Sequence, residues 1–330
     1  MEDLTKTRGL YSSADVVFTD ETCRTIDEDA CREVWRYLLK CGVSAIMTNE
    51  EPHCLTLKER NRLTKICVDE VKGKVPIIEY VWADSTQSLI EQALNAKEHG
   101  AVGLLTGPPN IVGGTLGEDG STAGEFVVEH FSKFSKETKM PLILMAGPDA
   151  TKGQCWYLPK EVLVDIAKNV ESLLGFKFIA FNAPLFKELT QAIKAVRKDI
   201  LCLRAGSLDL LGVFSAGGDG CLSGQLALAK EDCQIFEAFR SGDLKTAEEI
   251  NNQVMKLAGS MYGFGLNWYF AYFEYRFKVA AWLMGLIPRP YMRRPFLPPP
   301  LNQIEMIRDF LIKAGKPVVR EPKQLPISEV

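Results

Sequence analysis

Apolar runs of strand length alternate along this chain with longer stretches in which apolar residues recur every three or four positions, the spacing of a helix with one buried face. The short stretch Ala14–Phe18 opens the pattern. A helical segment from about Asp27 to Cys41 follows, closed by Gly42, and then comes the apolar run Val43–Met47. Thr56-Leu57-Lys58-Glu59 is a capping box, in which the Thr hydroxyl and the Glu carboxylate each satisfy a free backbone N–H. The helix it starts carries Leu63, Ile66, Cys67 and Val71 on one face and stops at Gly73, and Val75–Trp82 is the next strand.

The alternation predicts helix Ser88–His99 before strand Ala101–Thr106, Ala123–Lys136 before Pro141–Ala146, and Pro159–Val170 before Leu174–Phe181. Helix Leu185–Arg197 precedes strand Ile200–Ala205, and Leu208–Ala216 precedes Gly220–Ser223. Most of these strands are apolar throughout, as parallel strands covered on both faces are. Eight βα units within about 210 residues predict an α/β fold, a (β/α)8 TIM barrel. A doubly wound parallel sheet shares the alternation, but no GxGxxG follows the first strand, which weighs against a dinucleotide-binding version. After about Gly224 the strands stop. Segments 226–240, 243–259, 266–285 and 301–314 read as helices, the last two separated by Pro288, Pro290, Pro295 and Pro298–Pro300. The reading is a barrel over residues 1–235 with a C-terminal helical extension over 236–330.

Composition narrows the function classes. The 330 residues are 46% apolar and 25% charged, as in a globular chain, and a net charge of −3 gives no reason to expect nucleic acid or an anionic membrane as partner. The run nearest in length to a membrane span, Trp268–Ile287, is interrupted by Glu274, Arg276 and Lys278. Nine cysteines without a CxxC pair read as reduced thiols of a cytoplasmic protein. The opening MEDLTKTR has no apolar signal core, so secretion is not indicated. With His53, His99 and His130 the only histidines and no paired-ligand spacing, no metal is expected, and no feature calls for a nucleotide, a flavin or another cofactor.

Several segments carry a resemblance. They are Gly42-Val43-Ser44-Ala45-Ile46 followed by Leu55-Thr56-Leu57-Lys58-Glu59-Arg60, Gly100-Ala101-Val102-Gly103-Leu104-Leu105, Leu174-Gly175-Phe176-Lys177, Gly217-Gly218-Asp219-Gly220-Cys221-Leu222-Ser223, and Arg294-Pro295-Phe296-Leu297-Pro298. In layout, from about residue 10 to 315, the chain resembles the dihydrodipicolinate synthase/N-acetylneuraminate lyase family, the Schiff-base (class I) aldolases built on a TIM barrel. The resemblance implies that Lys177, on strand six, forms an imine with a 2-oxo acid, and that the chain assembles as a homodimer or homotetramer. Physical chemistry points the same way. A lysine inside Phe176-Lys177-Phe178-Ile179 on a buried strand is desolvated, which favours its neutral, nucleophilic form. A lysine at a strand end can also simply reach out to solvent.

Other signature residues differ. The family's strand-five tyrosine, which relays protons, is replaced by Met145 in Met145-Ala146-Gly147-Pro148, and a thioether transfers no proton. The family's carboxylate-holding turn after strand two reads Thr48-Asn49-Glu50-Glu51, whose acids repel a carboxylate. The segment after strand four that lends a tyrosine to a neighbouring subunit reads Pro109-Asn110-Ile111, and a further arginine position holds Ala150.

The acid/base candidates are then Glu51 and His53 after strand two, with Glu79 and Tyr80 on strand three. Glu50 and Glu51 are also ordinary solvated turn residues. Arg204, a charge expected in the barrel interior, can bind an anion or pair with a nearby acid. Glu50, Tyr80, Asn110, Met145, Asn182 and Arg204 are the candidates to line the substrate site, with Asp149, Trp82, Trp156, Tyr157 and Phe181 nearby. Three functions remain open. The first is a lyase acting on a small carbonyl compound through Lys177. The second is a catalytically silent barrel that binds a small molecule or a partner chain. The third is a proton-transfer isomerase or cyclase using Glu51 or His53.

Overall fold

The computed structural model describes residue 4 and residues 7–49, 54–109, 121–147, 158–179, 183–262 and 270–329. Eight parallel strands close into a barrel in chain order. They are β1 (Gly9–Ser13), β2 (Ala45–Thr48), β3 (Ile77–Tyr80), β4 (Gly103–Thr106), β5 (Leu142–Ala146), β6 (Leu173–Phe178), β7 (Leu201–Ala205) and β8 (Gly220–Ser223). Between them run α1 (Glu28–Cys41), α2 (Leu57–Val71), α3 (Thr86–Glu98), α4 (Ser121–Thr138), α5 (Lys160–Asn169), α6 (Ala183–Val196) and α7 (Leu210–Ser215). The predicted (β/α)8 barrel is therefore the fold, and the doubly wound alternative is excluded by closure of β8 on β1.

Local chemistry sets the element ends. Asp27 caps α1 by accepting from Ala30 N–H, and Gly42 ends it at φ 89°, a left-handed turn that costs a glycine little. The capping box expected at Thr56 and Glu59 is present in both directions. Such caps are each worth about 1 kcal/mol.

The first strand lies five residues earlier than its apolar content suggested. Gly9–Ser13 pairs with β2 on one side and β8 on the other, so closure of the barrel supplies its hydrogen bonds. The more apolar 14–18 stretch is a buried connection instead, and Phe18 at its end lies under the cations Lys278, at 5.3 Å from the ring, and Arg293, at 4.9 Å.

After β8 a short 3-10 turn (Leu226–Leu228) leads into α8 (Ala229–Ser241), which packs on β1 and α1. A division after residue 235 would cut this helix, so we take the extension to begin with α9 (Leu244–Tyr262), followed by α10 (Phe270–Leu283) and α11 (Leu301–Lys313). Residues 275–283 of α10 are all buried within the chain, which accounts for a helix that is apolar nearly all round.

The segment between α10 and α11 ties the extension to the connections that follow the first two strands. Arg293 makes a bidentate pair with Glu59, both contacts 2.8 Å, and donates to the carbonyls of Cys23 (2.8 Å) and Cys54 (3.1 Å). Arg289 donates to Phe18 O at 2.7 Å and pairs with Asp27. The chain thus joins the connections after β1 and β2 by half-buried arginines.

Candidate active site

Side chains on the strands alternate between two separate cores. Phe176 and Phe178 belong to the outer core, stacked with ring centroids 5.4 Å apart, and Phe178 meets Phe186 of α6 edge-on. The pleat therefore turns Lys177 inward. Its ladder neighbours Met145 and Leu203 both belong to the apolar core that fills the lumen. Lys177 is half-buried.

The eight registers define layers of four residues from alternate strands, as the stagger of such a barrel requires. Lys177 shares its layer with Met47, Leu105 and Leu222. The layer above, toward the C-terminal ends of the strands where barrel chemistry is done, holds Ser13, Tyr80, Met145 and Ala205. Tyr80 is half-buried against the lumen core and meets Trp82 edge-on at 6.4 Å. The Trp82 ring occupies space that a Cβ at Gly107 would fill. Tyr11 is the lumen phenol one layer below the lysine. Its hydroxyl donates to Thr7 O at 2.8 Å, and burial pushes its pKa up to about 12.

The structure places Met145, expected on strand five, and Tyr80, expected on strand three, in the layer above Lys177, with Met145 its ladder neighbour. Glu50, Glu51, His53, Asn110 and Asn182 lie outside the described residues, as do Asp149, Trp156, Tyr157 and Phe181. Arg204 is corrected. It alternates with lumen-facing Leu203, pairs in register with Phe178 and Cys221 of the outer core, and is buried toward the helices. One step of the pleat separates the two placements, and only the register decides it.

Glu79 is corrected in the same way. It lies behind the wall, where the Thr64 hydroxyl of α2 donates to its Oε2 at 2.8 Å. Burial raises its carboxyl to about 7, against the pull of the Thr64 hydrogen bond and of the Arg60 and His99 charges. A second buried carboxyl, Asp232 of α8, accepts from Ser207 at 2.5 Å and is likewise raised to about 7, chiefly by burial.

Two residues were missed. Ser13 is fully buried in the layer above Lys177, and its hydroxyl has no hydrogen-bond partner among the described residues. Placing the first strand at 14–18 hid it. Asn49, at φ 64° directly after β2, is buried and donates to Thr64 Oγ1 at 3.5 Å while its Oδ1 has no partner among the described residues. Asparagine tolerates this left-handed conformation, which was the signal available. Among the described residues, no group of three His, Cys, Asp or Glu side chains is placed to hold a metal ion, and no helix is long and apolar enough to cross a membrane.

Comparison with known proteins agrees with this fold. The dihydrodipicolinate synthetase family model matches residues 9–313. An uncharacterised DapA-like lyase of Thermofilum pendens is 29% identical over 282 residues, covering 83% of this chain and 87% of the relative. A probable 2-dehydro-3-deoxy-D-pentonate aldolase of Escherichia coli, YjhH, is 27% identical over 237 residues, covering 71% and 75%. Among solved structures, YagE, an Escherichia coli prophage protein of the dihydrodipicolinic acid synthase family in complex with pyruvate, superposes with a TM-score of 0.82 at 18% identity, covering 94% of this chain and 99% of that one.

Proposed function

The chain belongs to the dihydrodipicolinate synthetase family, whose members are lyases of aldolase type, and from that premise we propose that it is a Schiff-base lyase acting on a small carbonyl compound such as a 2-oxo acid. The observation that carries the reading is the inward turn of Lys177, half-buried between Met145 and Leu203 at the catalytic end of the lumen. The neutral amine adds to the carbonyl carbon, and loss of water leaves an iminium. That cation accepts the electron pair of the C–C bond as it breaks, or of the adjacent C–H bond as its proton leaves, giving an enamine; the enamine returns the pair when the C–C bond forms or expels the oxygen of a C–O bond, which departs with that bond's own pair. Hydrolysis of the imine restores the lysine. The pyruvate held by YagE supports a 2-oxo acid. The described cysteines are free thiols, which supports a cytoplasmic protein, and the family resemblance supports a homo-oligomer.

Borohydride reduction in the presence of pyruvate tests the reading by intact mass. The wild-type chain is expected to gain one reduced adduct, mapped to Lys177, and Lys177→Ala none. An adduct on Lys177→Ala equal to wild type would refute the assignment. So would a wild-type chain that traps none of a panel of 2-oxo acids and aldehydes.

A further inference from the structure

Forming an imine is an acid–base problem as well as a nucleophilic one. The adduct of amine and carbonyl is a zwitterion, and its oxygen leaves only as water, so a proton donor must stand beside the reacting carbon. The layer that covers Lys177 contains one side chain among the described residues that both titrates and faces the lumen, Tyr80. Glu79, next to Tyr80 in sequence, and Arg204, next to Ala205 of the same layer, face the helices instead. Tyr11 lies below the lysine with its hydroxyl tied to Thr7. Met145, in the same layer as Tyr80 and next to Lys177 in the ladder, carries no transferable proton. The Tyr80 ring is braced by Trp82, itself seated in the hollow at Gly107.

We propose, resting on the Schiff-base reading above, that the Tyr80 phenol is the catalytic acid and base of this site. The lone pair of Lys177 Nζ bonds to the carbonyl carbon, and the carbonyl oxygen takes the phenol proton. The phenolate then removes one proton from the new ammonium centre, giving a neutral carbinolamine and restoring the phenol. A second donation from the phenol turns the hydroxyl into leaving water, while the nitrogen lone pair forms the C=N bond. One amine, one carbonyl and one phenol become one iminium, one phenolate and one water, so charge and atoms balance. The phenolate is left poised to take the proton released in the next bond cleavage.

The test follows the rate of imine formation with pyruvate, by quenching with borohydride at timed intervals across pH, for wild type, Tyr80→Phe and Tyr80→Phe/Met145→Tyr, after matched thermal midpoints show each is folded. Tyr80→Phe is expected to slow trapping at Lys177 by about 10²–10⁴-fold and to lose the alkaline limb of the pH profile. Adding Met145→Tyr, which returns a phenol to the same layer, is expected to restore at least about tenfold of that loss. Trapping by Tyr80→Phe at the wild-type rate, or a slower rate with an unchanged pH profile, overturns the role of Tyr80 and leaves the Schiff-base reading standing. Absence of any adduct on the wild-type chain overturns both.

Discussion

Replacing Glu79 by glutamine makes the protein more stable at alkaline pH and leaves it nearly unchanged in mild acid. The carboxyl is 1% exposed, its Oε2 accepts from Thr64, and burial raises it from an ordinary 4.5 to about 7. Between those values the folded chain holds a proton that the unfolded chain has released, so stability falls as pH rises through this window and levels off above it. At 1.36 kcal/mol for each tenfold change, the full cost of the buried carboxylate is about 3.4 kcal/mol, of which about 2.5 kcal/mol develops between pH 5 and pH 8. Glutamine keeps an oxygen for the Thr64 hydroxyl and cannot ionise. With an unfolding entropy of about 2.1 cal/mol/K per residue, a chain of 330 residues converts that difference to about 3–4 °C. Thermal unfolding of wild type and Glu79→Gln in parallel at pH 5 and pH 8 isolates the term, because Asp232 and every other titrating group cancels in the difference. A gap that is constant with pH, or that closes as pH rises, refutes the reasoning.

Ser13→Ala removes a buried hydroxyl that has no partner among the described residues and is expected to stabilise the fold by about 1 kcal/mol, seen as a higher urea midpoint at unchanged slope. A drop in midpoint would mean that the hydroxyl is satisfied in solution. Arg293→Met removes the donor to the carbonyls of Cys23 and Cys54 and leaves Glu59 only its Thr56 hydrogen bonds, and is expected to cost about 1–3 kcal/mol, measured the same way. In that variant the Glu59 carboxyl, held at about 2 chiefly by its hydrogen bonds to Arg293, returns toward 4.5. Stability that wild type keeps above pH 4.5 and loses as pH falls toward 2 is then absent from the start.

Much of the architecture was legible from neighbours in sequence. Helix ends follow from caps such as Asp27, Thr56 and Gly42, and strand and helix periods differ, so the order of elements and the barrel could be read from the chain. Lys177 could be read too, because two phenylalanines flank it and alternation sends them one way and the amine the other. The position of β1 could not. Its Ser12 and Ser13 carry no apolar signal, and it is a strand because β2 and β8 close on it from both sides. Nor could the facing of Arg204 and Glu79, since a shift of one residue reverses every side chain in a strand and the register is settled by partners distant in sequence. The grouping of Ser13, Tyr80, Met145 and Ala205 over one lysine is of the same kind. Local chemistry determines which segments become strands, whereas the stagger of a closed barrel decides which side chains meet inside it.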